Sequence, residues 1–548
     1  MMLPWSKKII WAACCAMILS FLTWLAPASS PAVSAEAGET FLHPGMLYPQ
    51  DELDRMKRMV SEQKEPWYSS WNLLQANPLA KPEYRNNFHE IVYRNDLVNG
   101  SKGNGDLQNS ASAALLQAVE WAVTGDRVYA DNAIRILNGW SNVLTSIQGR
   151  DAQLAASLYG YKLLNAAEII RHTDAGWAEA DIVRFTGMMY GIFYPIVSTY
   201  GQVNGGWANG NWDAADTLFV ICLGVFADDE SLYKEAVDYF KHGEGNGSLL
   251  HYVQTGYGQL QESGRDQAHS QLGIGLLSMT AEIGYNQRKA SEYGADMVSY
   301  PDNSYLLLKG AEYAAQYGLG YDVPYTPLPG IGYTKPWWPN EVVSPLNRGQ
   351  FRPMYHQIWS LYRDKLKLPV SELKYTKEVL DRYRLDVFYL DHPSYGGLLD
   401  AEHPAPAPIK MNVSIRSEGK LRKDASTGTF LSAPEADAPV TVSSLDENEA
   451  SMYEAVYWNV ENRFAFRSRA TGLYLSVQPD GTVLANATEI GDRETFLYAE
   501  TGNGNGTLRA LSNGLYIAVD PVSYVVRADK TRVADDYARW ILLYPERK

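Results

Sequence analysis

The sequence predicts a mainly α-helical protein with a smaller all-β region at its C-terminal end. Apolar residues recur at helical spacing from about residue 50 to 320, proline-rich segments interrupt the chain at 321–346 and 403–408, and short alternating strands follow residue 410. Helical hairpins bury their apolar stripes by packing side by side, so we expect an (α/α) toroid, an incomplete helical barrel. An open helical solenoid is the alternative shape, because no strict helical repeat is visible.

Helices are predicted in successive pairs that short polar turns separate. The predicted ranges are 109–123, 129–140, 152–170, 177–197, 212–226, 231–240, 270–283, 304–317 and 353–383. This pattern divides the chain into a helical domain over 36–400, a proline-rich linker over 401–410 and a β-rich domain over 411–548.

The first 35 residues have the features of a signal peptide. Lys7-Lys8 precedes the apolar run Ile9–Leu25, and Val33-Ser34-Ala35 offers small residues for cleavage. We therefore expect secretion, to the periplasm or the extracellular space, and an uncleaved anchor is the alternative. Cys222 is the one cysteine outside this segment, so neither an intrachain disulfide nor a cysteine metal site is expected.

The composition restricts the class of partner. The formal net charge of -15 disfavours nucleic acid and anionic membranes as partners. The 37 tyrosines and 15 tryptophans fit surfaces that stack on sugars, although a large helical core also holds many aromatic side chains. No glycine-rich phosphate loop and no Gly-x-Ser-x-Gly motif occurs, so no cofactor is expected. The sequence leaves the oligomeric state open.

Two segments of the C-terminal region resemble each other. Gly472-Leu473-Tyr474-Leu475 corresponds to Gly514-Leu515-Tyr516-Ile517, and a weaker copy begins at Ile415. Three units of this size, each with four short strands, resemble a β-trefoil of the fascin or ricin-lectin kind. We expect Tyr474 and Tyr516 to fill the barrel core rather than to contact sugar.

The most polar segment of the chain lies directly before a predicted buried helix. This segment runs from Gln261 to His269, and an apolar helical run begins at Ser270. Polar groups this dense at the start of a helix that must be buried on one face indicate a functional site. A Gly/Asn/Trp loop from Asn204 to Trp212 is the second candidate segment.

Several motifs follow one another between residues 40 and 400. They are Leu42-His43-Pro44-Gly45, Trp121-Ala122-Val123-Thr124-Gly125-Asp126, Asn211-Trp212, Glu262-Ser263-Gly264-Arg265-Asp266-Gln267-Ala268-His269, and Glu312-Tyr313. This order resembles the alginate lyase family of secreted polysaccharide lyases. The resemblance implies an (α/α) toroid that cleaves an anionic polysaccharide, alginate or a related uronan, by β-elimination. Such lyases use an asparagine or an arginine to neutralise the uronate, and histidine and tyrosine for proton transfer.

The resemblance and the chemistry together nominate four catalytic residues. Asn211 matches the family's amide, but Trp212 stands where a histidine is expected, which makes His269 the replacement. Elimination removes the C5 proton and expels the O4 substituent, so the carboxylate charge must be neutralised. Arg265 could bridge both carboxylate oxygens, and His269 suits the base because imidazole is largely neutral near pH 7. Tyr257 is the candidate acid, or both base and acid.

Four further residues are predicted to bind substrate: Trp207, Trp212, Glu262 and Gln267. Structural roles compete with these predictions. Asn211 could cap the following helix, Arg265 could pair with Glu262 or Asp266, and the aromatic side chains could pack in the core. Arg348 and Arg352 could add positive potential to the cleft, but solvation at the surface is the favoured prediction for both.

Two other classes of function stay open at this point. A glycoside hydrolase could use Asp213 or Asp216 with Glu262, and a non-catalytic protein could simply bind glycans. A metal site formed by Glu262, Asp266, His269 and His251 lacks a recognisable ligand spacing, so no metal is expected.

Overall fold

A computed structural model describes residues 40–203, 205–332, 341–383, 385–404, 409–419, 421, 429–458, 463–502 and 505–543. The predicted signal peptide, Asn204 of the Gly/Asn/Trp loop and residues 405–408 of the predicted linker lie outside the described residues. Within the described ranges, no helix combines the length and apolarity that crossing a membrane would require.

The first part of the described chain is helical. Its helices, in chain order, are α1 (Gln50–Ser61), α2 (Trp67–Ala76), α3 (Asn104–Thr124), α4 (Arg127–Val143), α5 (Ala152–His172), α6 (Glu179–Met188), α7 (Tyr194–Val197), α8 (Asn211–Phe226), α9 (Glu230–His242), α10 (Leu249–Tyr252), α11 (Gln267–Asn286), α12 (Leu306–Gly318), α13 (Tyr355–Trp359), α14 (Lys374–Arg382) and α15 (Gly396–Leu399). One π-helical turn, Met189–Phe193, links α6 to α7, and another, Ser360–Lys365, extends α13. Short strands pair as β1 (Ile91–Tyr93) with β2 (Ser146–Gln148) and as β3 (Gln202–Val203) with β4 (Gly206–Trp207).

Every second long helix is buried along its length. α3 packs on α5, α5 on α8, and α8 on α11, while α4, α9 and α12 pack on the outside of this row. The buried helices carry small residues such as Ala111, Ala114 and Ala118, which allow close approach. The row continues from α11 through α13 and α15 to α2, and α1 returns to α3. The helices therefore close into the predicted toroid, and the fold class of helical toroid followed by an all-β region is confirmed.

One predicted helix is interrupted. The sequence predicts helix over 353–383, but the structure ends the first helical segment at Lys365 and begins α14 at Lys374. Pro369 lies between them. Proline has no N–H to donate and restricts the residue before it, so it ends the helical hydrogen bonding.

The described residues of the C-terminal region form twelve paired strands. They are β5 (Ile409–Ser417), β6 (Phe430–Ser432), β7 (Thr441–Ser444), β8 (Met452–Trp458), β9 (Arg463–Ser468), β10 (Tyr474–Val477), β11 (Val483–Ala487), β12 (Phe496–Gly502), β13 (Asn505–Ala510), β14 (Tyr516–Val519), β15 (Val526–Lys530) and β16 (Trp540–Leu543).

These strands form three units with one pairing pattern. In each unit of four, the first strand pairs with the second and the fourth, and the second pairs with the third. β8–β9, β12–β13 and β16–β5 join successive units into a closed ring. An all-β region is therefore present, and the β-trefoil stays a prediction for it. Tyr474 and Tyr516 do not fill its core, contrary to the expectation, since both are half-buried outside the cluster that Phe464, Phe466 and Trp540 form.

The segment before α1 crosses the C-terminal ends of the buried helices. Gln287, just after α11, binds the backbone of Leu42 through both its amide oxygen and its amide nitrogen. His43 contacts Glu168 of α5 at 2.7 Å and Asp228, just after α8, at 3.3 Å. Burial alone would lower the pKa of His43, but the two carboxylates outweigh it and raise that pKa from 6.5 to about 9. This segment therefore holds α5 and α8 through one protonated imidazole and α11 through the Gln287 amide.

The stability that His43 contributes should depend on pH. Because its pKa is raised on folding, the contribution is complete below about pH 6.5 and is lost as the pH rises through about 9. We expect wild type to exceed His43→Gln in free energy of unfolding by roughly 3 kcal/mol at most near pH 6, and this difference to shrink by pH 10. Urea unfolding of both proteins across this range measures it. A difference that stays constant with pH would contradict the assigned ion pairs.

Buried charges also close the toroid. The Lys365 ammonium lies 2.6 Å from Glu52 of α1 and 2.7 Å from Glu282 of α11, and all three side chains are nearly inaccessible. Burial raises the pKa of Glu52 to about 7 even though Lys365 opposes that shift. The cation thus links the beginning of the helical region to its centre.

Removing this cation should destabilise the fold strongly. Lys365→Met leaves two buried carboxylates without a counter-ion, which costs about 3–5 kcal/mol. The matched control is Lys234→Met, because Lys234 pairs with Glu230 at 2.6 Å but both side chains are about half exposed, and such pairs contribute about 1 kcal/mol or less. Urea midpoints followed by the helical circular-dichroism signal compare the two. Equal shifts would argue that Lys365 does not stabilise the closure.

Candidate active site

Glu262 joins the N-terminal ends of α8 and α11. Its carboxylate is fully buried, with 0% of the side chain exposed. The Asn211 amide nitrogen donates to its two oxygens at 3.0 and 2.9 Å, and Arg265 Nη1 donates to Oε1 at 2.7 Å. A buried carboxylate is costly unless hydrogen-bonded and paired, and here both conditions are met. Glu262 therefore fixes where Arg265 points.

Asp266 caps the start of α11 and positions His269. Its Oδ1 accepts the backbone N–H of His269 at 2.8 Å, which caps the helix, while its Oδ2 lies 2.7 Å from His269 Nδ1. Burial opposes ionisation of Asp266, but its hydrogen bonds with His269 and the charge of Arg265 outweigh that effect and lower its pKa. An ionised Asp266 accepts the Nδ1–H of His269, so a neutral His269 carries its lone pair on Nε2.

That Nε2 atom faces the guanidinium. Arg265 Nη2 lies 3.2 Å from His269 Nε2, and Arg265 Nε lies 3.5 Å from Asp266 Oδ2. The side chains of Arg265 and His269 are 29% and 37% exposed. A polar ligand can therefore reach both, whereas it cannot reach Glu262.

The charges of the cluster do not favour an anion by themselves. Glu262 and Asp266 contribute two negative charges and Arg265 one positive charge, so the sum is -1 when His269 is neutral. An acidic ligand must compete with these carboxylates for the guanidinium.

A family model of alginate lyases matches residues 60–322, which include α8, the Glu262 cluster and α11. Residues 60–322 belong to the alginate lyase family. The membership supports polysaccharide lyase activity with a polysaccharide substrate. No curated protein matches the chain.

Three solved structures with some similarity each match about a quarter of the chain. A designed three-fold symmetric protein, ThreeFoil, is 16% identical with a TM-score of 0.21, over 24% of this chain and 97% of that one. A mosquitocidal holotoxin is 13% identical with a TM-score of 0.22, over 25% of this chain and 17% of that one. A GlcNAcα1-4Gal-releasing endo-β-galactosidase from Clostridium perfringens is 14% identical with a TM-score of 0.21, over 24% of this chain and 32% of that one. Similarity this small carries no conclusion about fold or function.

The alginate lyase region brings three of the four predicted catalytic residues together. Asn211, Arg265 and His269 lie within one hydrogen-bonded cluster, as expected for a common site. Asn211 is nearly inaccessible, however, and its amide nitrogen is directed at Glu262. Asn211 thus contacts the carboxylate that holds Arg265.

Tyr257 lies elsewhere. Its side chain is 42% exposed, its hydroxyl donates to Gln259 at 3.1 Å, and its ring lies 6.3 Å from that of Tyr313. Among the described residues, no contact joins Tyr257 to Arg265 or His269.

The predicted substrate-binding residues also lie in different surroundings. Gln267 is buried, and its amide nitrogen donates to the backbone carbonyls of Ser263 and Ser344 at 3.2 and 2.9 Å. Trp212 packs partly buried against the helical core. Trp207 is half-buried on β4, beside Gly245 and Gly332. Of this group, Trp207 lies on a short hairpin rather than in the core.

The favoured prediction that Arg352 is solvated at the surface was wrong, because Arg352 lies beside the cluster. It is buried, donates from Nε to the carbonyl of Ala268 at 2.8 Å and pairs with Asp391 at 3.0 Å. Its guanidinium also lies 4.8 Å from the ring centroid of Tyr389. These contacts join positions far apart in the chain, so the local sequence gave no signal for them.

The geometry disfavours a glycoside hydrolase. Asp213, Asp216 and Glu262 are all fully buried, and burial raises the pKa of Asp213 to about 8. Its Oδ2 accepts the backbone N–H of Gly247 at 2.6 Å and the Tyr239 hydroxyl at 2.9 Å. Carboxylates enclosed in this way cannot flank a glycosidic bond.

One group of described residues offers three ligand atoms within 4.8 Å of one another, namely His43, Glu168 and His172. The two imidazole rings are stacked, with centroids 4.3 Å apart and planes at 10°. A histidine binds a metal through a lone pair in its ring plane, and lone pairs in nearly parallel planes do not converge on one ion. The group therefore fits the protonated His43 imidazole and its carboxylate partner Glu168, as described above. In the Glu262 cluster, the guanidinium of Arg265 lies between the carboxylates where a cation would bind.

Replacing Asp266 should separate catalysis from binding. Asp266→Asn keeps a good helix cap but removes the charge that holds the Nδ1–H form of His269, so we expect kcat to fall by about 100-fold or more. The cluster charge changes from -1 to 0, so KM for an acidic substrate should not rise and should fall. Steady-state kinetics with a thermal melt as the folding control measures both. A higher KM with unchanged kcat would contradict the positioning role.

Proposed function

We propose that the protein is a secreted lyase that cleaves a uronate-containing polysaccharide, alginate or a related uronan, by β-elimination at Arg265 and His269. The observation that carries this proposal is the 3.2 Å contact between Arg265 Nη2 and His269 Nε2, with Asp266 holding the opposite side of the imidazole. Membership of residues 60–322 in the alginate lyase family supports the reaction class.

Arg265 binds the uronate carboxylate in this proposal. Glu262 occupies Nη1, which leaves Nη2 as the exposed donor that now faces His269. A carboxylate that approaches Nη2 displaces His269 Nε2 from it and takes over the hydrogen bond. Neutralising the carboxylate in this way makes the C5 proton more acidic and stabilises the enolate-like intermediate.

His269 then acts as the base. C5 is bonded to the carboxylate carbon, so a carboxylate on Nη2 places C5 beside the Nε2 lone pair that the ligand has just released. The proton moves from C5 to Nε2, and Asp266 stabilises the imidazolium through Nδ1–H.

The elimination then breaks the bond between C4 and O4. The electron pair left at C5 forms the C4–C5 double bond, and the departing O4 takes up a proton. The imidazolium of His269 supplies that proton when O4 lies on the same face of the sugar as the C5 hydrogen. The histidine returns to its neutral form, and the product carries an unsaturated uronate.

One assay tests the reaction class. The protein is incubated with alginate, polymannuronate, polyguluronate, a glucuronan and a neutral glucan, and the near-ultraviolet absorbance of the C4–C5 double bond is followed. A lyase raises this absorbance with at least one acidic polymer. Reducing ends without the chromophore would indicate hydrolysis, and no change in either signal would leave a glycan-binding protein.

His269→Ala should abolish that signal without unfolding the protein. The side chain is partly exposed and its loss leaves Asp266 paired with Arg265, so we expect turnover to fall by about 10²–10⁴-fold with little change in the thermal melt. His242→Ala is the matched control, because His242 is exposed at the end of the outer helix α9. Near-wild-type turnover in His269→Ala would refute its role as base.

A further inference from the structure

A groove that contains neither Arg265 nor His269 lies between α12 and the segment that leads into α14. Its volume is about 630 Å³, which lies within the range of small-molecule sites. α12 contributes one of its faces, and the turn that carries Tyr257 forms a second wall. Its lining includes four tyrosines and two lysines: Tyr257, Tyr305, Tyr313, Tyr375, Lys309 and Lys374.

Hydrogen bonds hold two of these tyrosine rings in place. Tyr257 donates its hydroxyl to Gln259 at 3.1 Å, and Tyr313 donates its hydroxyl to the carbonyl of Pro324 at 2.8 Å. Gly258 supports this turn closely, because a Cβ there would lie 2.2 Å from the carbonyl oxygen of Lys309. Tyr257 is nevertheless 42% exposed. A fixed and exposed ring offers a flat apolar face at low entropic cost.

The cations of the groove have no carboxylate partner among the described residues. Lys309 and Lys374 are both exposed, and the Lys374 ammonium lies 4.7 Å from the ring centroid of Tyr375 and 5.9 Å from that of Tyr321. Glu312, a partly buried acid of the groove, already accepts the backbone N–H groups of Tyr375 and Thr376 at 2.8 and 2.7 Å. Glu372 is the exposed acid that remains.

This combination matches an acidic sugar chain. A pyranose presents apolar C–H groups on its faces, hydroxyls around its edge and, in a uronate, one carboxylate per ring. The tyrosine faces suit the C–H groups, the Glu372 carboxylate suits the hydroxyls, and the two ammonium groups suit the uronate carboxylate. A hydrophobic peptide is a poor match, because few aliphatic side chains line the groove.

We propose that this groove is an accessory binding site for a second segment of the acidic polysaccharide. The identity of the polymer rests on the proposed lyase function. Holding one segment of a chain here raises the local concentration of its other segments at Arg265 and His269. The groove therefore affects long chains and leaves short oligosaccharides unaffected.

Charge reversal of the two lysines tests the groove. Both are exposed, so Lys309→Glu/Lys374→Glu should fold normally. The charge-matched control is Lys64→Glu/Lys289→Glu, which reverses two exposed lysines outside the groove. Electrophoresis through gels that contain alginate, a glucuronan or a neutral glucan measures binding without turnover when each pair is combined with His269→Ala. Relative to the control, the groove variant should bind the acidic polymer about tenfold more weakly.

Kinetics supply a second readout. With His269 intact, the groove variant should show a higher KM for the polymer than the control, with kcat unchanged and with normal kinetics on a trisaccharide. Equal gel retardation of the two double variants, or an equal loss on the trisaccharide, would overturn the accessory site. If wild type forms no unsaturated product with any polymer, the lyase proposal fails, whereas the gel comparison still decides whether the groove binds acidic glycans.

Discussion

A buried carboxylate must find partners, and in this protein Glu262 finds them on two elements. The Asn211 amide comes from the first residue of α8, and the Arg265 guanidinium comes from the turn before α11. Because a carboxylate left alone in the core would be costly, this contact fixes how the ends of the two helices approach each other. It also fixes the direction of Arg265, and through it the contact with His269.

The site is thus organised in two layers. The inner layer, Glu262 with Asn211, is inaccessible and serves to hold a charge in place. The outer layer, Arg265 with His269, is accessible and is where a ligand can bind. Asp266 belongs to both, since one oxygen caps α11 and the other positions the imidazole. A substitution in the inner layer would therefore affect folding and activity together, whereas one at His269 affects chemistry alone.

The sequence predicted the parts of this arrangement that are local. The buried helices follow from apolar periodicity, and the site follows from a dense polar segment just before one of them. Contacts between distant positions were not predictable in this way. Nothing near Asn211 indicates that its amide is directed at Glu262, and nothing near Arg352 indicates its pairing with Asp391. Tyr257 precedes the cluster closely in sequence, yet its turn packs on α12 and directs the ring into another groove.

The parallel course of the buried helices has an electrostatic consequence for the site. Each of α3, α5, α8 and α11 is separated from the next by a returning outer stretch, so their first turns lie at the same end of the toroid. Aligned peptide dipoles place about half a unit of positive charge at each helix start. Asn211 is the first residue of α8, and His269 lies in the first turn of α11. The backbone itself thus offsets the surplus negative charge of the side chains and makes this end of the toroid the more favourable one for an acidic sugar to enter.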